Sequence, residues 1–268
     1  RLMADSLRFL LLIAFVGLLL LLRFDARRFG TAEYDDERAR GGLRGWIRRL
    51  TWYGMGVLLV LAIYLVHPLP ISELRLDLGA DRQEAIGLGL LFGVGGTLVA
   101  FLLAWYRYRR FRLPPARHYP GAIVNCIGTS FLDEALFRGI ILGLILAYDW
   151  PLELAVAFQA VLYGLATRLG APGRSRSMLV ISIGVGLVAG FLTVQTGGIG
   201  AAFVGHAVTR FAIFMATGHA GQVRPRGYEP EEELGHSLPP DGWEVVVDRD
   251  VAPGVPANPG RLRQVRPG

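Results

Sequence analysis

The chain has 268 residues, 52% hydrophobic and 19% charged, with a mean hydropathy of +0.41 and a formal net charge of +6. Apolar content this high, gathered in runs rather than alternating, excludes an ordinary soluble domain and points to membrane spans. The single cysteine, Cys126, lies in one of those runs; it excludes an internal disulfide and reads as a small packing residue.

Seven apolar runs are expected to span a membrane: residues 7–24, 51–67, 86–106, 121–147, 151–168, 178–195 and 198–217. Each approaches the ~20 residues that cross ~30 Å of hydrocarbon. The first run is bounded by Arg8 and Arg23, and no small-residue cleavage site follows it. A span whose two arginines snorkel to the interface is therefore expected, rather than a signal peptide. The chain opens on Arg1 rather than methionine, which leaves room for residues upstream. Beyond Gly221 the sequence turns rich in proline and acids, so a mostly disordered tail is expected, with one short strand at Trp243–Val247. Three parts follow. Residues 1–84 hold two spans and an arginine-rich cytoplasmic loop, 85–217 a five-span core, and 218–268 a cytoplasmic tail.

Charge sets the expected orientation. All 28 basic residues are arginine, and they alternate in density along the loops. Eight fall in residues 23–50, five in 107–120 and three in 168–177, against two in 68–85 and none in 148–150 or 196–197. The basic loops belong inside, which puts the N-terminus outside and the tail in the cytoplasm. The positive charge then meets anionic lipid headgroups. No basic motif interleaved with aromatics speaks for nucleic acid, so membrane lipids are the expected partners.

Within this apolar setting the segment DEALFRG carries Asp133, Glu134 and Arg138. Ionisable groups at bilayer depth cost on the order of 2.5–3.5 kcal/mol each on insertion scales, and they persist where they pair, bind or react. Glu134 and Arg138 are four apart with the acid first, the favourable order for a helical ion pair. Asp133 lies about 100° round the helix from Glu134, which leaves it free to face a cavity. Three spans later comes His206, with Arg210 one turn on and the same face implied. The run Gly197, Gly198, Gly200, Ala201, Ala202 and Gly205 before it allows close helix approach. On the span directly after DEALFRG, Tyr163 and Thr167 share a face that on its own reads as packing, with hydroxyls bonded back to the helix.

Other signals carry less. The glycines of 87–96 lie inside a span, so they serve close packing and not phosphate. HExxH, CxxC and GxSxG patterns are absent, and Ser130 is a poor nucleophile candidate. His118, His219 and His236 fall in loops or tail and His67 at a span end, none placed to complete a site with Asp133.

In order, these three segments resemble the CPBP family of intramembrane metalloproteases, which includes CAAX endopeptidases and Abi proteins. The family motif EExxxR is matched by Asp133-Glu134 with Arg138 and Gly139, FxxxH by Tyr163 with Thr167, and HxxxN or HxxxD by His206 with Arg210. The glycine-rich lead-in to His206 adds to the likeness, which covers about residues 85–217. It implies an all-α polytopic bundle of about seven spans, with a conical cavity open toward the cytosol in a bacterial plasma membrane. It implies an endopeptidase in which an acid and two histidines gather zinc and its attacking water, near the cytosolic face, on a membrane-protein or peptide substrate. The carried-over catalytic positions are Asp133, Glu134, Arg138, Thr167, His206 and Arg210, and the metal ligands would be His206 and Asp133.

Three of those positions depart from the pattern. Asp133 is one methylene shorter than glutamate, Thr167 replaces a histidine, and Arg210 stands where Asn or Asp belongs. A hydroxyl is not among the usual zinc ligands, and a guanidinium stays charged and repels a divalent ion. An Asp133–Arg210 ion pair in the place of the metal is therefore expected. The alternative function is then a catalytically inactive pseudoprotease, a membrane scaffold that binds peptide or lipid. A transporter is the third class, and would need a polar path across the whole membrane.

Overall fold

The computed structural model describes residues 2–24, 43–108, 111, 113, 114, 116, 119–170, 176–218, 243–246 and 261–264. The chain divides into two units, Arg1–Val223 and Arg224–Gly268. The first is all helical: α1 (Leu2–Phe24), α2 (Leu43–Val66), a single-turn α3 (Pro70–Glu73), α4 (Arg82–Tyr108) and α5 (Tyr119–Glu134). A π-helical segment, Ala135–Ile141, joins α5 to α6 (Leu142–Ala147), and α7 (Leu152–Gly170), α8 (Arg176–Thr196) and α9 (Gly200–Thr217) follow. In the second unit β1 (Trp243–Val246) pairs antiparallel with β2 (Arg261–Gln264), with Trp243 opposite Gln264. The expected strand is present and has a partner strand that the sequence did not announce. The remaining expectations for the tail, the central part of the loop 23–50, His118, His219 and His236 lie outside the described residues.

All seven apolar runs form helices. Among the described residues, α1, α2, α4, α8 and α9 each hold a stretch long and apolar enough to cross a membrane. The apolar part of α7, Leu152–Thr167, is shorter, and the fourth run is divided where the π segment interrupts it. The protein is a helical membrane bundle.

Local chemistry accounts for the helix contacts. On α4 the glycines at 89, 93 and 96 lie against Val204, Val208 and Thr209 of α9, where an added Cβ would overlap the neighbour. Small residues at this spacing let two backbones approach closely in lipid, where dispersion rather than hydrophobicity drives association. Trp52 on α2 donates its indole N–H to the Leu22 carbonyl at 3.1 Å, satisfying an orphan acceptor in the last turn of α1. Gly218, at φ 78°, closes α9 by donating its amide to Phe214.

The π segment begins directly after Glu134. Its wider turn shows in the Leu142 amide, which donates to the Phe137 carbonyl five residues back. The loop after α3 crosses it closely: Arg75 donates its amide to the Gly139 carbonyl at 3.1 Å. Such single-turn π elements concentrate at functional sites, and all seven residues of this one are buried.

A buried ionic cluster at the candidate active site

The last turn of α5 delivers two adjacent carboxylates, Asp133 and Glu134, both with no exposed surface. Adjacent helical positions diverge by about 100°, and the two acids accordingly meet different partners. Asp133 faces α1. The Nε of Arg23 donates to its Oδ1 in a short contact, and Nη2 donates to Oδ2 at 3.2 Å. This two-pronged geometry matches the fork of a guanidinium to a carboxylate. Two expectations are corrected here. Arg23 does not snorkel to the interface but turns into the bundle, where it is buried. The hydrogen-bonded partner of Asp133 is thus Arg23 rather than Arg210, because α1 packs against α2, α7 and the π segment and its last turn brings Arg23 to the end of α5.

Glu134 faces α9 and the π segment. Its Oε1 accepts from Nδ1 of His206 at 2.7 Å, and its Oε2 lies 3.2 Å from Nε of Arg138. The expected Glu134–Arg138 bracket is therefore present as a charge contact, although the guanidinium is not aligned for a hydrogen bond to that oxygen. Arg138 instead sets its guanidinium over the ring of Tyr163, with Cζ 4.2 Å from the centroid. A desolvated contact of this kind is worth about 2 kcal/mol. Phe137 packs edge-on against the same ring at 5.2 Å.

His206 links the acid to α7. With Glu134 accepting from Nδ1–H, its Nε2 lone pair faces the Tyr163 hydroxyl 3.3 Å away, which donates to it. A continuous chain runs Tyr163 hydroxyl, His206 imidazole, Glu134 carboxylate, Arg138 guanidinium. Tyr163 therefore does more than pack, and its hydroxyl does not bond back to its own helix. Thr167, one turn on, is buried, and its Oγ1 has no hydrogen-bond partner among the described residues. Ser130 is likewise buried with an unpartnered hydroxyl and touches no acid of the cluster by a hydrogen bond. Arg210, one turn beyond His206, donates from Nη2 to Asn125 Oδ1 at 3.1 Å.

A metal implied by the sequence pattern can be tested against this donor set. Both nitrogens of His206 and both oxygens of Asp133 already have partners, and Thr167 offers a neutral hydroxyl. Among the described residues no three His, Cys, Asp or Glu side chains are grouped to hold a metal ion. Most catalytic zinc sites use three protein ligands. The residues present do not fit a metal.

The stretch 115–212, from just before α5 to near the end of α9, matches the family described as type II CAAX prenyl endopeptidase Rce1-like. This stretch is similar to the core of the CAAX-protease family. It contains all three motif segments, and the likeness read from Asp133-Glu134, Tyr163 and His206 holds at the family level. No curated protein and no solved structure matches the chain. Two partners of the CAAX-protease-type core escaped the sequence reading. Arg23 lies outside the matched residues, and its only signal was a charge ending an apolar run. Asn125, two turns before Asp133, was a lone amide in an apolar span.

Proposed function

We propose that this chain is a CAAX-protease-like membrane protein in which the acid of the metal site is held by an arginine instead of a metal. It retains the family cavity as a binding site for a membrane-embedded helix, peptide or lipid, and does not cleave what it binds. The observation that carries this reading is the two-pronged grip of Arg23 on Asp133. The acid that should help gather metal and water is neutralised by a cation from α1, and Thr167 supplies no imidazole in its place. Arg210 adds a further cation on the His206 helix. The arginine distribution among the loops supports a bacterial-type plasma membrane placement with the N-terminus outside and the core's basic loops in the cytoplasm.

A second reading has one observation in its favour. The Glu134–His206 contact resembles the carboxylate that orients a ligating or basic imidazole, as an endopeptidase with metal-activated water would need. That reading requires Arg23 to leave Asp133. The experiment is metal content of the detergent-purified chain beside His206→Ala, with cleavage of a CAAX-type peptide followed with and without chelator. The expected result is no stoichiometric zinc and no chelator-sensitive cleavage. About one zinc per chain, lost in His206→Ala, overturns the non-cleaving reading and restores the endopeptidase.

A further inference from the structure

A cavity of about 900 Å³, with none of the ionic cluster's residues in its lining, lies between α1, the end of α2, α3 and α6. Its walls along α1 run from Arg8 to Leu20. At 1.5 Å per residue that is a groove of about 18 Å, against roughly 15 Å for one leaflet of a ~30 Å hydrocarbon core. The lining is apolar down its length, with Leu12, Val16, Leu20 and Leu144, and polar only at one end, where Arg8, His67 and Glu73 meet. Tyr148 stands exposed at that same end, the place of aromatic side chains at headgroup depth. Gly17 lies on this wall, and a Cβ built there meets nothing within 4 Å, so a larger side chain at 17 has open space to project into.

The polar end has a definite charge pattern. The Leu69 amide donates to Nδ1 of His67 at 3.2 Å, so that nitrogen carries no proton. Nε2 of the neutral ring then lies 3.3 Å from Glu73 Oε2. His67 lies beside the carboxylate without cancelling its charge. Among the described residues the mouth therefore holds one cation, Arg8, and one anion, Glu73, above an apolar groove one leaflet deep.

We propose that this cavity binds a single phospholipid whose headgroup carries a primary ammonium, with its phosphate on Arg8, its ammonium on Glu73 and an acyl chain along α1. A glycerol headgroup would offer Glu73 only neutral hydroxyls and no compensating charge, and a quaternary ammonium has no N–H for the carboxylate. The site is independent of whether the core cleaves.

The test is lipid retention by the full chain. The protein is reconstituted in nanodiscs containing equal phosphatidylethanolamine, phosphatidylglycerol and phosphatidylcholine, extracted in mild detergent, and its bound lipid identified by native mass spectrometry. Phosphatidylethanolamine should be retained preferentially, near one per chain. Arg8→Gln and Glu73→Gln should each weaken retention about tenfold or more, as loss of one charge-assisted hydrogen bond does. Gly17→Leu should fill the groove and abolish retention while the thermal unfolding midpoint stays near that of the parent. Equal retention of the three headgroups, a preference for phosphatidylglycerol, or unchanged retention in Gly17→Leu at a preserved midpoint each overturns the proposal. If Gly17→Leu lowers the midpoint, the two charge variants decide by the same criterion.

Discussion

Arg23, at the end of the first span, holds both carboxylate oxygens of Asp133, the first acid of the core's signature. The contact ties α1, which lies outside the matched residues 115–212, to the centre of the family core. Both side chains are buried, so each charge depends on the other. A buried ion pair need not add net stability, yet removing one member leaves an uncompensated charge. The pair therefore works as a lock on the arrangement of α1 and α5 as well as a cap on the acid.

Arg23→Gln and Asp133→Asn should each destabilise the bundle by about 3–5 kcal/mol, because each strands a buried charge. The double variant leaves two neutral amide groups that still reach one another, and should recover much of that loss. Unfolding midpoints of the three proteins in one detergent measure the coupling. Losses that simply add would show that the two residues do not depend on each other.

Much of the fold was readable because membrane spans announce themselves by length and apolarity. The seven runs became helices, and their boundaries moved by a few residues at most except at α2, which starts at Leu43. The i,i+4 pair Glu134–Arg138 was readable too, since helical spacing alone brings the two together. What spacing does not contain is which helices pack side by side. Asp133 was assigned to Arg210 because both had changed from the family pattern, whereas the bundle brings Arg23 of α1 to Asp133 and sets Arg210 beside Asn125. Tyr163 had the same difficulty: its role depends on α7 and α9 converging on His206. The π turn after Glu134 has no pattern in the sequence.

Tyr163 separates two contributions by substitution. Tyr163→Phe keeps the ring under Arg138 and removes the hydroxyl donated to His206. The cost should be about 1–2 kcal/mol, that of one buried hydrogen bond whose partner is left unsatisfied. Tyr163→Leu also removes the π face, and should cost about 2 kcal/mol more, the value of a desolvated cation–π contact. Equal losses from Phe and Leu would mean that the ring does not support the Arg138 guanidinium.

Rebuilding the family's donor set tests what keeps metal out. Thr167→His with Arg210→Asn restores the second imidazole and removes one cation, but Arg23 still occupies Asp133. Titration with zinc in a calorimeter should show little binding to that protein, and binding near one ion per chain once Arg23→Gln is added. The Asp133 carboxylate, the His206 ring and the imidazole introduced by Thr167→His then meet the usual requirement of three ligands for zinc. Equal binding with and without Arg23→Gln would show that Arg23 is no obstacle.

The contact between α4 and α9 makes opposite predictions for two neighbouring glycines. At Gly95 an added Cβ meets nothing within 4 Å, whereas at Gly96 it would overlap the Thr209 hydroxyl. Glycine in a helix interior is worth roughly 0.5–1 kcal/mol less than alanine, so Gly95→Ala should leave the bundle unchanged or slightly stabilised. At Gly96 the same helical gain is opposed by overpacking, typically about 1–3 kcal/mol. Thr209 has little freedom to retreat, since its hydroxyl already donates to the Gly205 carbonyl at 2.8 Å. Gly96→Ala should therefore lower the unfolding midpoint, and Gly96→Ala combined with Thr209→Ser, which removes the methyl but not the hydroxyl, should recover only part of it. A midpoint for Gly96→Ala at or above that of Gly95→Ala would mean that α4 and α9 do not meet at this close distance, and that the α9 face carrying His206 is held by other contacts.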